Sequence, residues 1–206
     1  MSATRFSVLI VSTGNVCRSP IAEELLRAQL AATIGPDARA FRCESAGTWG
    51  HSGAGMESHA AAVLAERGIE PGSFVARELN PDQVLEADLI LGATRDHREQ
   101  VHLLDPYAAG RTFTIREFAR FARRVYPATL PEADPAVRAR ALVDRVAMLR
   151  TPRPGPGRPD DDIADPFGAP LHVFRLCADS IAEGLAALVG HLTPASAAGS
   201  RSSSAV

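Results

Sequence analysis

The stretch Ser12-Thr13-Gly14-Asn15-Val16-Cys17-Arg18-Ser19-Pro20 gathers residues suited to holding an anion. An apolar run precedes it and a helix-start signal, Ser19-Pro20, closes it. Successive backbone N–H groups in such a connection can wrap an anion, and the positive pole of the following helix adds favourable potential. Gly14 permits a tight turn. Asn15 tolerates left-handed backbone and can tie the loop to itself. Arg18 offers a planar fork that holds two phosphate oxygens at once. An ordinary strand–helix connection with a capping serine has the same pattern, so on these residues alone both readings stay open. Asp165-Pro166 is a second polar feature, and aspartate before proline is common in turns. The histidines at 51, 59, 97, 102, 172 and 191 lack metal-ligand spacing, so neither a metal nor another cofactor is expected.

The elements that would position these groups follow from periodicity. Residues 5–11 are mostly apolar and β-branched with little alternation, the pattern of a strand buried on both faces. Ile21, Ala22, Leu25, Leu26 and Leu30 then fall at helical spacing, with Ser19 as N-cap, Pro20 at the first helical position and Glu23 and Glu24 in the first turn. Strand-like segments recur at 40–46, 87–91 and 112–115. Helical ones recur at 56–67 (ending at Gly68), 95–104, 116–125 and 135–150. A closing amphipathic helix over 171–192 carries Val173, Phe174, Leu176, Cys177, Ile181, Leu185 and Leu188 on one stripe. Alternating strands and helices predict a single α/β domain. Its centre is a four-stranded parallel sheet flanked by helices on both faces, with the anion loop between strand 1 and helix 1. Prolines exclude a regular element over 151–162, a surface loop whose Asp160-Asp161-Asp162 run reads as a solvated face. The domain is expected over 1–192, with 193–206 a disordered Ser/Ala/Gly tail.

Composition removes several classes of function. With 206 residues, 46% hydrophobic and 22% charged, the chain is neither disordered nor a membrane protein. A net charge of −2 gives no polyanion-binding surface, so nucleic acid is not an expected partner. Three cysteines, Cys17, Cys43 and Cys177, build no disulfide framework and point to a reducing, cytoplasmic setting. The apolar run from Phe6 to Val11 is too short for a signal peptide or a membrane span.

The loop resembles the signature of the low-molecular-weight protein tyrosine phosphatases: Cys, any residue, Gly-Asn, any residue, Cys-Arg-Ser-Pro. Here Gly14-Asn15-Val16-Cys17-Arg18-Ser19-Pro20 matches it and is followed by Ala22-Glu23. Ser45-Ala46-Gly47-Thr48, the segment from Ala60 to Ile69 and Asp165-Pro166-Phe167-Gly168 resemble further segments in the family's order. The resemblance implies a phosphate loop formed by Thr13, Gly14, Asn15, Val16, Cys17, Arg18 and Ser19. It also implies Asp165 as the acid that protonates the leaving oxygen. Trp49 and Phe167 would supply an aromatic rim. The implied partner is a phosphorylated protein or a small phosphate ester.

The chain departs from the family where the attacking atom sits, because the nucleophilic cysteine is replaced by Ser12, six positions before Arg18. A loop of N–H groups beside an arginine makes a thiol a resident thiolate. A hydroxyl stays protonated in the same field and needs a base, and no histidine is near Ser12 in sequence. An alkoxide is also the poorer leaving group when water breaks the phosphoenzyme. Hydrolysis by the family's chemistry is therefore expected to fall by several orders of magnitude. The alternatives are a weak phosphomonoesterase and a catalytically dead protein that still captures phosphate or phosphotyrosine. Cys17 as a direct nucleophile, and arsenate reduction, which needs a nucleophilic cysteine, are the lesser readings. The family's protective disulfide between paired loop cysteines is unavailable with serine at position 12.

Overall fold

A computed structural model describes residues 5–49, 51–150 and 157–194. Four strands form one sheet: β1 (Phe6–Ser12), β2 (Phe41–Gly47), β3 (Leu89–Gly92) and β4 (Thr112–Thr114). Their order is β2-β1-β3-β4 and every pairing is parallel. The continuous apolar runs follow from this arrangement. In β1, Val8 and Ile10 enter one core while Leu9 and Val11 enter another on the opposite face. Helices cover both faces, so alternation is lost.

Among the described residues, seven α-helices complete the domain. They are α1 (Arg18–Ile34), α2 (Ser58–Ala65), α3 (Pro81–Glu86), α4 (Arg95–Leu104), α5 (Ile115–Ala122), α6 (Pro135–Leu149) and α7 (Leu171–Val189). The larger core joins α1, α2, α5, α6 and α7 through Leu26, Leu64, Phe118, Leu142 and Phe174. The smaller one sets Val84 of α3 and Val101 of α4 against Ile90. Among the described residues no helix is long and apolar enough to cross a membrane.

The structure corrects several local expectations. Helix α1 starts at Arg18, with Cys17 as an N-cap lacking a side-chain bond, so Ser19 is not the cap. Glu23 and Glu24 consequently lie beyond the first turn, and Glu23 is buried. Helix α3 is additional. Its six residues are too few to show a period, yet Asn80 and Gln83 form a capping box ahead of and within it. Leu176, expected on the apolar stripe of α7, is exposed. The proline-rich segment contains one 3-10 turn, Pro159–Asp161, against the expectation of no regular element. Residues 151–156 of that segment and 195–206 of the expected tail lie outside the described residues.

The Asp160–Asp162 run is not a uniform solvated face. Asp161 is buried, accepting from Arg120 Nη2 at 2.8 Å and from the Arg158 backbone N–H at 2.9 Å. Asp162 accepts from Arg95 Nη2 at 2.9 Å and from the Arg95 backbone N–H at 2.7 Å. Only Asp160 stands exposed. These bonds strap the segment leading to Asp165 onto the ends of α4 and α5.

Candidate functional site

The loop from Ser12 to Arg18 crosses the carboxyl end of β1, where ligands collect in open α/β sheets. Its carbonyls are tied outward. Those of Ser12 and Thr13 accept from the N–H groups of Thr48 and Trp49, and that of Val16 from Glu57, all at 2.9–3.0 Å. By contrast, the N–H groups of Gly14, Asn15, Val16 and Cys17 donate to nothing among the described residues. A run of unbonded donors at a helix N-terminus is the donor set an anion requires.

Asn15 holds this shape from beneath. It is fully buried and has a positive φ of 54°, the left-handed region that Asn visits most readily after Gly. Its Nδ2 donates to Ser19 Oγ at 2.9 Å and Ser45 Oγ at 2.8 Å, and its Oδ1 accepts from the Arg77 N–H at 2.9 Å. Ser45 Oγ in turn donates to buried Glu23 Oε2 at 2.5 Å. Burial, partly offset by that bond and by Arg27, raises the Glu23 pKa. Gly47 is where β2 abuts the loop, since a Cβ there would lie 2.7 Å from the Thr13 carbonyl oxygen.

Ser12 is buried at the floor, its Oγ 2.7 Å from Ser19 Oγ. Arg18 is also buried. It donates from Nη1 to the Ile163 carbonyl at 3.1 Å, and from Nη2 to Thr13 Oγ1 at 3.1 Å and Asp165 Oδ2 at 2.5 Å. A cavity of about 260 Å³ opens between them, lined by Ser12, Thr13, Gly14, Val16, Cys17, Arg18, Trp49, His51, Asp165 and Phe167. Trp49 and Phe167 are mostly exposed at its mouth. Thus every residue expected from the sequence comes together here. Asn15 and Ser19 support the loop from below, and the others line the cavity.

Three side chains were not singled out from the sequence as neighbours of the loop. His51 lies over Gly14, whose added Cβ would stand 2.4 Å from His51 Cδ2. His97 is buried, and its Nε2 lies 3.0 Å from Thr13 Oγ1. The Thr94 backbone N–H donates to His97 Nδ1 at 3.1 Å, which leaves Nε2 as the protonated nitrogen donating to Thr13. Burial, and then the Arg18 charge, lower the His97 pKa to about 4. Glu23 completes the set, two side chains below Asn15. No histidine touches Ser12, so its hydroxyl meets no imidazole base. Cys17 is buried and its thiol is pushed up to about 12 by burial, then by the charges of Asp165 and Glu57. A thiol held protonated in this way is a packed group and a poor nucleophile.

Comparison with known proteins agrees with the geometry. Residues 7–127 match the family described as low molecular weight phosphotyrosine protein phosphatase. The chain is 35% identical over 112 residues to the low molecular weight protein-tyrosine-phosphatase Etp of Escherichia coli, covering 54% of this chain and 70% of that one. It is 27% identical over 176 residues to a protein-arginine-phosphatase of Geobacillus stearothermophilus, covering 85% and 88%. Among solved structures, the YwlE arginine phosphatase in a Cys-to-Ser mutant with a phosphorylated active site serine shares the fold. Its TM-score is 0.64 at 24% identity, over 91% of this chain and 95% of that one.

Proposed function

The chain belongs to the low molecular weight phosphotyrosine protein phosphatase family, and from that membership we propose that it captures phosphate monoesters of phosphoproteins in the 12–19 loop and turns them over slowly through Ser12. One observation carries the reading. Arg18 and Asp165 converge at 2.5 Å over a buried Ser12 hydroxyl, inside a loop whose Gly14, Asn15, Val16 and Cys17 N–H groups have no partner among the described residues. The phosphoryl oxygens take those N–H groups and the Arg18 fork. Ser12 Oγ attacks phosphorus as the ester P–O bond breaks, the Ser12 proton passes to a phosphoryl oxygen, and Asp165, protonated, gives its proton to the departing oxygen. Water then breaks the phosphoserine with Asp165 as base.

Serine weakens both halves. Ser12 Oγ touches Ser19 Oγ and no base, so the hydroxyl attacks un-ionised. Breaking the phosphoserine then expels an alkoxide in place of a thiolate. The supporting likeness in kind is the mutant arginine phosphatase, whose active site serine is phosphorylated.

The test is paired kinetics on a phenyl phosphate ester. Ser12→Cys is expected to exceed the parent by several orders of magnitude, and Ser12→Ala to fall below it. No gain in Ser12→Cys would overturn the assignment of Ser12. Inorganic phosphate should bind the parent, and Arg18→Ala should abolish that binding. Unchanged affinity in Arg18→Ala would reject the cradle.

A further inference from the structure

A second groove, of about 500 Å³, adjoins the phosphate cavity on the α4 side. It shares Thr13, Arg18 and Trp49 with that cavity and is walled beyond them by Asp96, His97 and Gln100. The two spaces therefore meet at one exposed indole, which is 71% accessible. A phosphorylated residue seated in the smaller cavity must carry its flanking residues along the surface, and this groove is wide enough for a long side chain.

The groove's chemistry selects which one. Asp96 and Gln100 sit one turn apart on α4, both exposed, and neither side chain makes a hydrogen bond or direct ion pair with the described residues. Arg18, the only lining cation among the described residues, is engaged with Asp165. Next to Asp96, Arg95 is committed to Asp162. Free acceptors thus remain in the groove beside a flat aromatic wall. A guanidinium or ammonium group satisfies the carboxylate and lies on the indole face.

Resting on the phosphomonoester reading above, we propose that the groove walled by Trp49, Asp96 and Gln100 is a second subsite that takes a basic side chain, arginine or lysine, flanking the phosphorylated residue of a protein substrate.

The full chain is titrated with three probes at physiological ionic strength: inorganic phosphate, the peptide Ala-Arg-phosphotyrosine-Arg-Ala, and its counterpart with Glu in place of Arg. The parent is expected to prefer the arginine peptide. Asp96→Asn should weaken that peptide about three- to fivefold, the range of an exposed ion pair, and leave inorganic phosphate unchanged. Asp96→Arg should shift the preference toward the glutamate peptide. If phosphate binds while the peptide preference is the same in all three proteins, the subsite is overturned and the phosphate reading stands. If inorganic phosphate fails to bind the parent, both fall.

Discussion

Asn15→Ala tests the loop most directly, because one small side chain both sets a backbone angle and fills three hydrogen-bonding roles. Its φ of 54° costs an alanine about 1 kcal/mol that asparagine largely avoids. Truncation also leaves the Arg77 N–H without its acceptor and removes donors from Ser19 and Ser45. Three net hydrogen bonds at about 1 kcal/mol each bring the total to about 4 kcal/mol. For a chain of this size that is a fall in Tm of roughly 10 °C. Asn15→Gly restores the angle without the bonds and should be milder than Asn15→Ala by up to about 1 kcal/mol. Urea unfolding of parent and both variants reads these differences, and titration with inorganic phosphate should show weaker binding in each. An Asn15→Ala stability within about 1 kcal/mol of the parent would refute the reasoning. A glycine variant less stable than the alanine one would show that backbone angle plays no part.

Gly47→Ala should destabilise by about 1–3 kcal/mol and weaken phosphate, since its Cβ meets backbone on both sides of Gly14 and only a shift of the loop relieves it; thermal unfolding with phosphate titration checks both. The pKa of His97, about 4 in the fold against 6.5 unfolded, gives a signed pH effect. The unfolded chain takes up the proton first, so the stability is present above about pH 6.5 and is lost as pH falls toward 4. Between pH 7 and pH 5 the parent should lose about 2 kcal/mol more than His97→Gln in urea unfolding. Equal losses would mean that His97 protonates freely in the fold.

How much of this could be read in advance depended on where each residue's partners lie along the chain. Strands β1 and β3 announce themselves because burial on both faces writes an unbroken apolar run, and the bounds of α4 follow from its own residues. The six-residue α3 offers no full period, and its one signal, Asn80-Pro81 with Gln83, is a cap. Asp160, Asp161 and Asp162 are identical in type and adjacent, yet one is exposed, one is buried against Arg120 and one is clasped by Arg95. Those arginines lie 41 and 67 positions away, and nothing local distinguishes the three. The same limit governs the site. Ser12, Arg18 and Ser19 were legible together because eight consecutive positions hold them. Glu23 looked like a partner of the helix dipole, and its real contact is Ser45 on β2.

His97 shows the limit in its sharpest form. It is 84 residues from Thr13, and on a helix its sequence shows only a third-position partner for a capping threonine. The fold gives that same imidazole two roles, accepting from the cap through Nδ1 and bracing the phosphate loop through Nε2. Its neutrality follows from both roles. A proton on Nδ1 would break the cap and place a cation beside Arg18. The histidine that hydrogen-bonds the loop is therefore held in the form that fixes Thr13. It does not touch Ser12 and so cannot take its proton, which leaves the hydroxyl with Ser19 as its hydrogen-bonding neighbour, the ground on which slow phosphoryl transfer is proposed.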